Sequence, residues 1–319
     1  MKIISIVVPC FNEQEALHYF YNEIVKLALE MPTIMFEFVF VDDGSQDNTL
    51  IILKELQRQD ERIKYLSFSR NFGKESAIYA GLNNAGGDYV AIIDADLQDP
   101  PILIKEMYHI IVNEGYDCVA TRRKSRKGEP PVRSFFARQF YRIINRISNI
   151  ELVDGARDFR LMTRQMVESI LQICEYNRFS KGIFAWVGFK TKWIEFDNRE
   201  RVAGQTKWSF WKLYAYSLEG IMAFSTTPLA ISSVVGAAFF LLSLFMICIL
   251  GIWQFIWGGY VIAWYWLLCI MLFITGIQLF CTGIVGQYVS RTYLETKKRP
   301  IYIIKEFSDQ SFKPLTGQE

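Results

Sequence analysis

Along the first 120 residues, short apolar runs rich in β-branched side chains alternate with longer stretches whose apolar positions recur every three or four places. The runs at 3–8, 37–41, 63–67, 89–93 and 118–121 predict strands, and the stretches at 13–31, 48–59, 74–84 and 101–114 predict helices. Strand and helix in turn make a βαβ series. Nearly continuous apolar strands such as SIVV and FVFV predict a parallel sheet covered on both faces, and such sheets bind ligands beyond the carboxyl ends of their strands.

After residue 215 the pattern changes. Residues 220–290 hold no Asp, Glu, Lys or Arg, although these make up 21% of the 319-residue chain. A bilayer core of about 30 Å takes roughly 20 helical residues, so this stretch predicts two spans, at 229–253 and 265–289. Between them, Trp253, Trp257, Tyr260, Trp264, Tyr265 and Trp266 surround the Gly258-Gly259 turn, as amphipathic rings do at a membrane surface. Lys207 and Lys212 precede the pair of spans, and Arg291, Lys297, Lys298 and Arg299 follow it. The positive-inside rule therefore predicts a multi-pass protein of the cytoplasmic (inner) membrane with both termini in the cytoplasm. A buried helical hairpin in a soluble protein is the alternative. The small residues Ser232, Ser233, Gly236 and Ala237 suit packing against spans of a neighbouring subunit in a homo-oligomer.

Three domains are expected: a cytoplasmic α/β domain over 1–215, the spans over 229–289, and a cytoplasmic tail over 290–319, polar after Phe307. Two helices, near 132–149 and 208–220, are candidates for the membrane interface. In the first, Arg138, Arg142 and Arg146 form one stripe, with Phe136, Phe140, Ile143 and Ile147 opposite. A helix packed on the core is the competing reading.

Charge and cysteine usage narrow the chemistry. The net charge is only +2, yet residues 122–146 carry nine Arg and Lys against Glu129 alone, a block suited to phosphate. Six scattered cysteines, without a C-x-x-C or a local histidine, predict neither disulfides nor a zinc site, so a metal would be bound by oxygen.

Such oxygens cluster at strand ends. Asp94 and Asp96 follow the fourth strand, and in extended chain residues two apart point to one side. Two carboxylates, with Gln98 adding a neutral oxygen, suit Mg²⁺ or Mn²⁺ completed by water and substrate phosphate. Asp99, ahead of Pro100-Pro101, reads as a helix cap. At the second strand end, Asp42 or Asp43 can accept hydrogen bonds from a nucleobase or ribose, while Asp47 reads as a cap. Asn12 and Glu15 make a capping pattern, which leaves Glu13 for a ligand.

Taken in order, IVVPCFNE, VDDGS, SRNFGKESA, GDYVAIIDADLQDPP and DFRLM resemble the family 2 glycosyltransferases of GT-A fold. The likeness is to the polyisoprenyl-phosphate branch that includes dolichyl-phosphate mannose synthase and bactoprenol glucosyltransferases. It covers about residues 1–215. It implies an inverting, metal-dependent transfer from a nucleotide sugar, with UDP-glucose the first expectation, to polyprenyl (undecaprenyl) phosphate, with no nucleic-acid partner. Implied donor contacts are Pro9, Glu13, Asp42, Asp43, Lys74, Asp94 and Asp96. Asp94, Asp96 and Gln98 fall to the metal, Asp94 and Asp158 to catalysis, and Arg122, Arg133, Arg201 and Lys207 to the acceptor phosphate. Asp158 has two open roles in transfer, base or orienting group, and a third as a buried partner of Arg160. Arg157 departs from the pattern, standing where glycine is expected. A processive polysaccharide synthase is the alternative enzyme, but there is no Q-x-x-R-W; a non-catalytic scaffold or transport component is the alternative outside enzymes.

Overall fold

A computed structural model of the chain describes residues 1–124, 131–148, 150–196, 221–225, 227–257 and 263–308. The chain divides into two compact units, one of residues 1–146, 150–220 and 299–319, the other of residues 147–149 and 221–298.

The first unit is built on an eight-stranded mixed sheet in the order β7-β5-β6-β4-β1-β2-β3-β8. Strands β1 (Lys2–Cys10), β2 (Ile34–Asp42), β3 (Ile63–Phe68) and β4 (Tyr89–Ile92) are parallel. They match the first four predicted strands. β5 (Cys118–Arg123) is the fifth, and it lies parallel to β7 (Thr191–Phe196). β6 (Ala156–Thr163) runs antiparallel between β4 and β5. The eighth strand, β8 (Ile304–Phe307), pairs antiparallel with β3, so part of the expected tail belongs to the sheet.

Alternation along β1 decides which helices cover which face. Ile4, Ile6 and Val8 join Leu17, Phe20 and Ile24 of α1 (Leu17–Glu30), Leu53 and Leu56 of α2 (Thr49–Gln59), and Ile104 and Met107 of α4 (Leu103–Glu114) in one core. Val7 points the other way, toward α3 (Lys74–Asn84). A β-carbon on Gly81 there would collide with the Val7 side chain, so glycine lets helix and strand approach. Two short helices, α6 (Arg164–Leu171) and α7 (Ser180–Trp186), follow in the same unit.

Two predicted caps are absent. α1 starts at Leu17 without a side-chain cap, and Asn12, with φ of 52°, serves a neighbouring loop instead. α4 starts at Leu103, also without one, and the Asp99 carboxylate is used elsewhere. Asp47 does accept the backbone N–H of Thr49, the first residue of α2, at 3.0 Å. The basic helix α5 (Pro131–Ile147) exposes Arg138, Arg142 and Arg146 as expected, but Ile143 is 47% exposed and Ile144 is the buried position.

The second unit holds α8 (Thr227–Trp257) and α9 (Ala263–Thr296). Ser225 Oγ accepts the Thr227 N–H at 3.1 Å and so finishes the start of α8. Tyr288 donates to the Ser225 carbonyl at 2.7 Å, the Cys281 thiol approaches the Ser232 carbonyl at 3.5 Å, and the Phe239 and Phe273 rings meet at 5.0 Å. As one number falls the other rises, so the helices are antiparallel. Ser232 is buried, and its carbonyl meets Cys281 of α9 in the same chain. Among the described residues, 273–296 is the stretch long and apolar enough to cross a membrane by length and composition.

Candidate active site

The carboxyl ends of β1 to β4 and the start of β6 share one edge of the sheet. The chain leaves β1 toward β2 on one side and β4 on the other, the switch at which parallel sheets open a crevice. Loops there are stitched together through their backbones. Asn12 N–H donates to Ser45 Oγ at 2.9 Å, and Gln46 N–H returns a bond to Asn12 Oδ1 at 2.8 Å. Glu13 N–H donates to Thr49 Oγ1 at 2.8 Å. Burial, reinforced by the carboxylates of Glu13, Asp42 and Asp94, pushes the Cys10 thiol well up, so these acids surround the end of β1.

Asp42 was expected at a ligand, but the fold turns it inward. It is fully buried, accepting Ser67 Oγ–H at 2.6 Å and Ser45 N–H at 3.0 Å, and so supports the loop. Asp43, 3% exposed, accepts the N–H groups of Phe72 at 2.6 Å and Gly73 at 2.9 Å. Burial raises its carboxyl to about 6 against these two donors. The hydrogen bonds fasten the loop that delivers Lys74, and Gly44, with φ of 65°, has room only for hydrogen beside the Arg70 backbone.

Lys74 opens α3 and reaches two carboxylates from distant parts of the chain. Its ammonium lies 2.7 Å from Asp94 Oδ1, just past β4, and 2.6 Å from Asp158 Oδ2 on β6. Burial alone would lower the lysine, but Asp158 and Asp94 raise it above its ordinary value. Burial alone would raise Asp158, but Lys74 and then Lys181 hold it well below the usual carboxylate range. Arg160 is not the side-chain partner foreseen for Asp158. Its guanidinium donates to the carbonyls of Asp158 and Arg157 at 3.2 and 3.0 Å and lies 3.7 Å over the Phe184 ring.

Beside this bridge is a second ion pair. Arg157 Nε and Nη2 donate to Asp99 at 2.9 and 3.0 Å, and the Asp99 side chain is 2% exposed. Burial lifts Asp99 to about 6, opposed by Arg157, with Asp94 and Asp96 adding to the rise. Asp94 and Asp96 thus both act on Asp99, although not by strand alternation: β4 ends at Ile92, and Leu97 takes a left-handed φ of 56° in the following turn. Asp96 Oδ1 accepts the Gln98 N–H at 3.1 Å.

This donor set tests the expected cation. Among the described residues no group of three or more His, Cys, Asp and Glu side chains gathers for a metal. Two carboxylates and the Gln98 amide oxygen are nonetheless hard oxygen donors of the kind Mg²⁺ and Mn²⁺ take when water and phosphate complete the shell. The residues fit such an ion.

Of the remaining candidates, two are described in full. Pro9 is half-buried in β1, opposite Val41. Arg122 is ion-paired with Glu195 across β5 and β7. Arg133 is in α5, with its side chain beyond what is described, and Arg201, Lys207 and 208–220 lie outside the described residues. Sequence reasoning missed Lys181, whose ammonium donates to the Ala156 carbonyl at 3.0 Å, and Glu75, which accepts the N–H of Ser180 at the start of α7 at 3.0 Å. No local spacing links either residue to the site. The only early signal in this region was Arg157 at a position where glycine was expected.

Comparison with known proteins gives this geometry a context. The profile described as Glycosyl transferase family 2 matches residues 5–171. A prophage bactoprenol glucosyl transferase homolog of Escherichia coli (strain K12) is 43% identical over 95% of this chain and 98% of its own length. A bactoprenol glucosyl transferase of Shigella phage SfV is 42% identical with the same coverage. Among solved structures, mannosyl-3-phosphoglycerate synthase from Rubrobacter xylanophilus aligns with a TM-score of 0.48 at 19% identity, covering 70% of this chain and 72% of that one.

Proposed function

The chain belongs to glycosyl transferase family 2, and from that membership we propose that it transfers a hexose from a nucleotide sugar to polyprenyl phosphate at the cytoplasmic face of a membrane. UDP-glucose is the first donor to try. The observation that carries the reaction is the convergence of Lys74, Asp94 and Asp158, with Asp96 and Gln98 alongside, at the carboxyl edge of the sheet. The acceptor class is supported by the relatives, whose names are bactoprenol glucosyl transferases and whose likeness extends over 95% of the chain. Two long helices with apolar side chains facing outward, such as Leu241, Phe245 and Phe280, agree with a membrane-borne acceptor and with both helices as spans.

In an inverting transfer, an acceptor phosphate oxygen bonds to the anomeric carbon as the bond to the diphosphate oxygen breaks. A divalent cation held by Asp94, Asp96 and Gln98 would supply charge to the departing diphosphate. The chain's own part is positional and electrostatic. Asp43 pins the loop before α3, and Lys74 ties the donor-side Asp94 to Asp158. Kept ionised by Lys74 and Lys181, Asp158 orients its partners and removes no proton. None need be removed, because a phosphate monoester with a second pKa near 6 is largely dianionic at neutral pH.

The test is purified full-length chain with labelled nucleotide sugars, polyprenyl phosphate and Mg²⁺ or Mn²⁺. An organic-soluble labelled lipid is expected, absent in Asp96→Asn, which retains folding and membrane insertion. A water-soluble polymer instead would support a processive synthase, and no transfer from any sugar nucleotide would refute the reading.

A further inference from the structure

Asp94, one of the two carboxylates assigned above to a divalent cation, is already paired with one positive charge. Lys74 bridges Asp94 and Asp158 at 2.7 and 2.6 Å, and the neighbouring Asp99 is held by Arg157. Asp94 is thus paired with Lys74, and Asp99 with Arg157, before any ligand arrives. A bare divalent cation entering at Asp94 meets the Lys74 ammonium at close range and is repelled by it. A cation accompanied by a nucleotide diphosphate brings negative charge of its own. The lysine is also the member of the cluster able to move: its side chain is 34% exposed on a flexible stem, whereas the Arg157 side chain is 11% exposed and fixed by a forked contact.

Resting on the assignment of Asp94 and Asp96 to a divalent cation, we propose that Lys74 is a positioning residue that serves as the resident counter-ion of Asp94 and yields it to the cation that arrives with the sugar nucleotide. The ammonium then stays on Asp158, keeping that carboxylate aligned during transfer. Two consequences follow from charge alone. Cation binding without nucleotide is weak, and cation and nucleotide each strengthen the other's binding by the same factor.

The experiment is titration of purified full-length chain with Mn²⁺, without donor, reading free Mn²⁺ by electron paramagnetic resonance, then repeated with UDP. Asp96→Asn should remove the site's Mn²⁺ binding; if it does not, the ion is held elsewhere and the proposal fails. In Lys74→Met, removing one positive charge near a divalent ion should tighten donor-free Mn²⁺ binding at least about tenfold. The gain that UDP brings should shrink by a similar factor. Asp158→Asn should act oppositely, leaving Lys74 wholly to Asp94 and weakening donor-free binding by about threefold or more. Unchanged or weaker binding in Lys74→Met overturns the proposal; should that variant not fold, unchanged or tighter binding in Asp158→Asn overturns it. These titrations use no acceptor and measure no transfer. A wild-type protein inactive toward every sugar nucleotide, yet showing these shifts, would refute the assigned reaction and leave the counter-ion role standing.

Discussion

Asp43 shows how a single carboxyl group couples pH to the site. Its folded pKa, about 6, lies above the 3.8 of the free group because it is buried. Protonation is therefore easier in the folded protein, and as pH falls from 7 to 5 the destabilising cost of this buried carboxylate is progressively relieved. The same proton weakens the acceptor for the Phe72 and Gly73 N–H groups. Hydrogen-exchange protection at those two amides is expected to fall across that window, with no loss of melting temperature traceable to Asp43. Unchanged protection at pH 5 would show that the loop does not depend on the ionised form. Arg157 and Asp99 make a different case. With Arg157→Met, a carboxylate buried to 2% side-chain exposure loses its partner, at a cost of about 3–5 kcal/mol. The double variant Arg157→Met/Asp99→Asn should recover part of that loss, as read by thermal unfolding of each protein. Neither end of this pair was legible beforehand. Asp99 before two prolines has the local signature of a helix cap, and only the fold reveals that its partner lies 58 residues away.

At the scale of elements, legibility followed burial pattern. α3 was bounded correctly by its periodicity, and β1 to β5 were located by continuous apolar runs, although β2 begins three residues earlier and β5 ends two residues later than those runs. β6 escaped because a strand in mid-sheet is expected to be apolar, whereas its ARDFRLMT places Arg157, Asp158 and Arg160 where the site needs them. β7 is an edge strand of mixed exposure, and β8 has four residues, too few to show a period. Yet β8 matters for stability. It closes the β3 edge, with Ser308 N–H donating to the Tyr65 carbonyl at 2.9 Å and Ser69 N–H to that of Ile303 at 3.0 Å. Tyr302, just before it, is 2% exposed and stacks on Phe68 at 5.0 Å. Tyr302→Ala should destabilise the sheet-bearing unit by about 3 kcal/mol through the cavity it leaves. A melting temperature equal to wild type would mean that this return of the chain is not part of the folded unit.

For the whole molecule, the consequence is that the helices interrupt the catalytic unit in sequence. That unit comprises residues 1–146, 150–220 and 299–319, and 221–298 fall between its parts. The absence of charge over 220–290 made the apolar segment legible from the sequence. Beyond it, the apolar run Ile301–Ile304 is the one trace of a return to the sheet, and it went unread because an antiparallel edge strand is defined by its neighbour more than by its own side chains. Two deletions separate an appended apolar segment from an inserted one. A chain ending at residue 220 loses β8 and Tyr302, so it should melt well below wild type and expose the β3 edge to aggregation. A chain that replaces 221–298 with a flexible Gly/Ser linker of about 20 residues retains them, and it should remain in solution without detergent and still bind UDP with Mn²⁺. If the proposed function is right, this second protein also loses transfer to long-chain polyprenyl phosphate in vesicles while keeping nucleotide affinity near wild type, because the helices carry the protein to the lipid and the sheet carries the donor. Equal stability of the two deletions would show that β8 adds nothing to the sheet, and the apolar segment would then be appended to the catalytic unit instead of inserted in it.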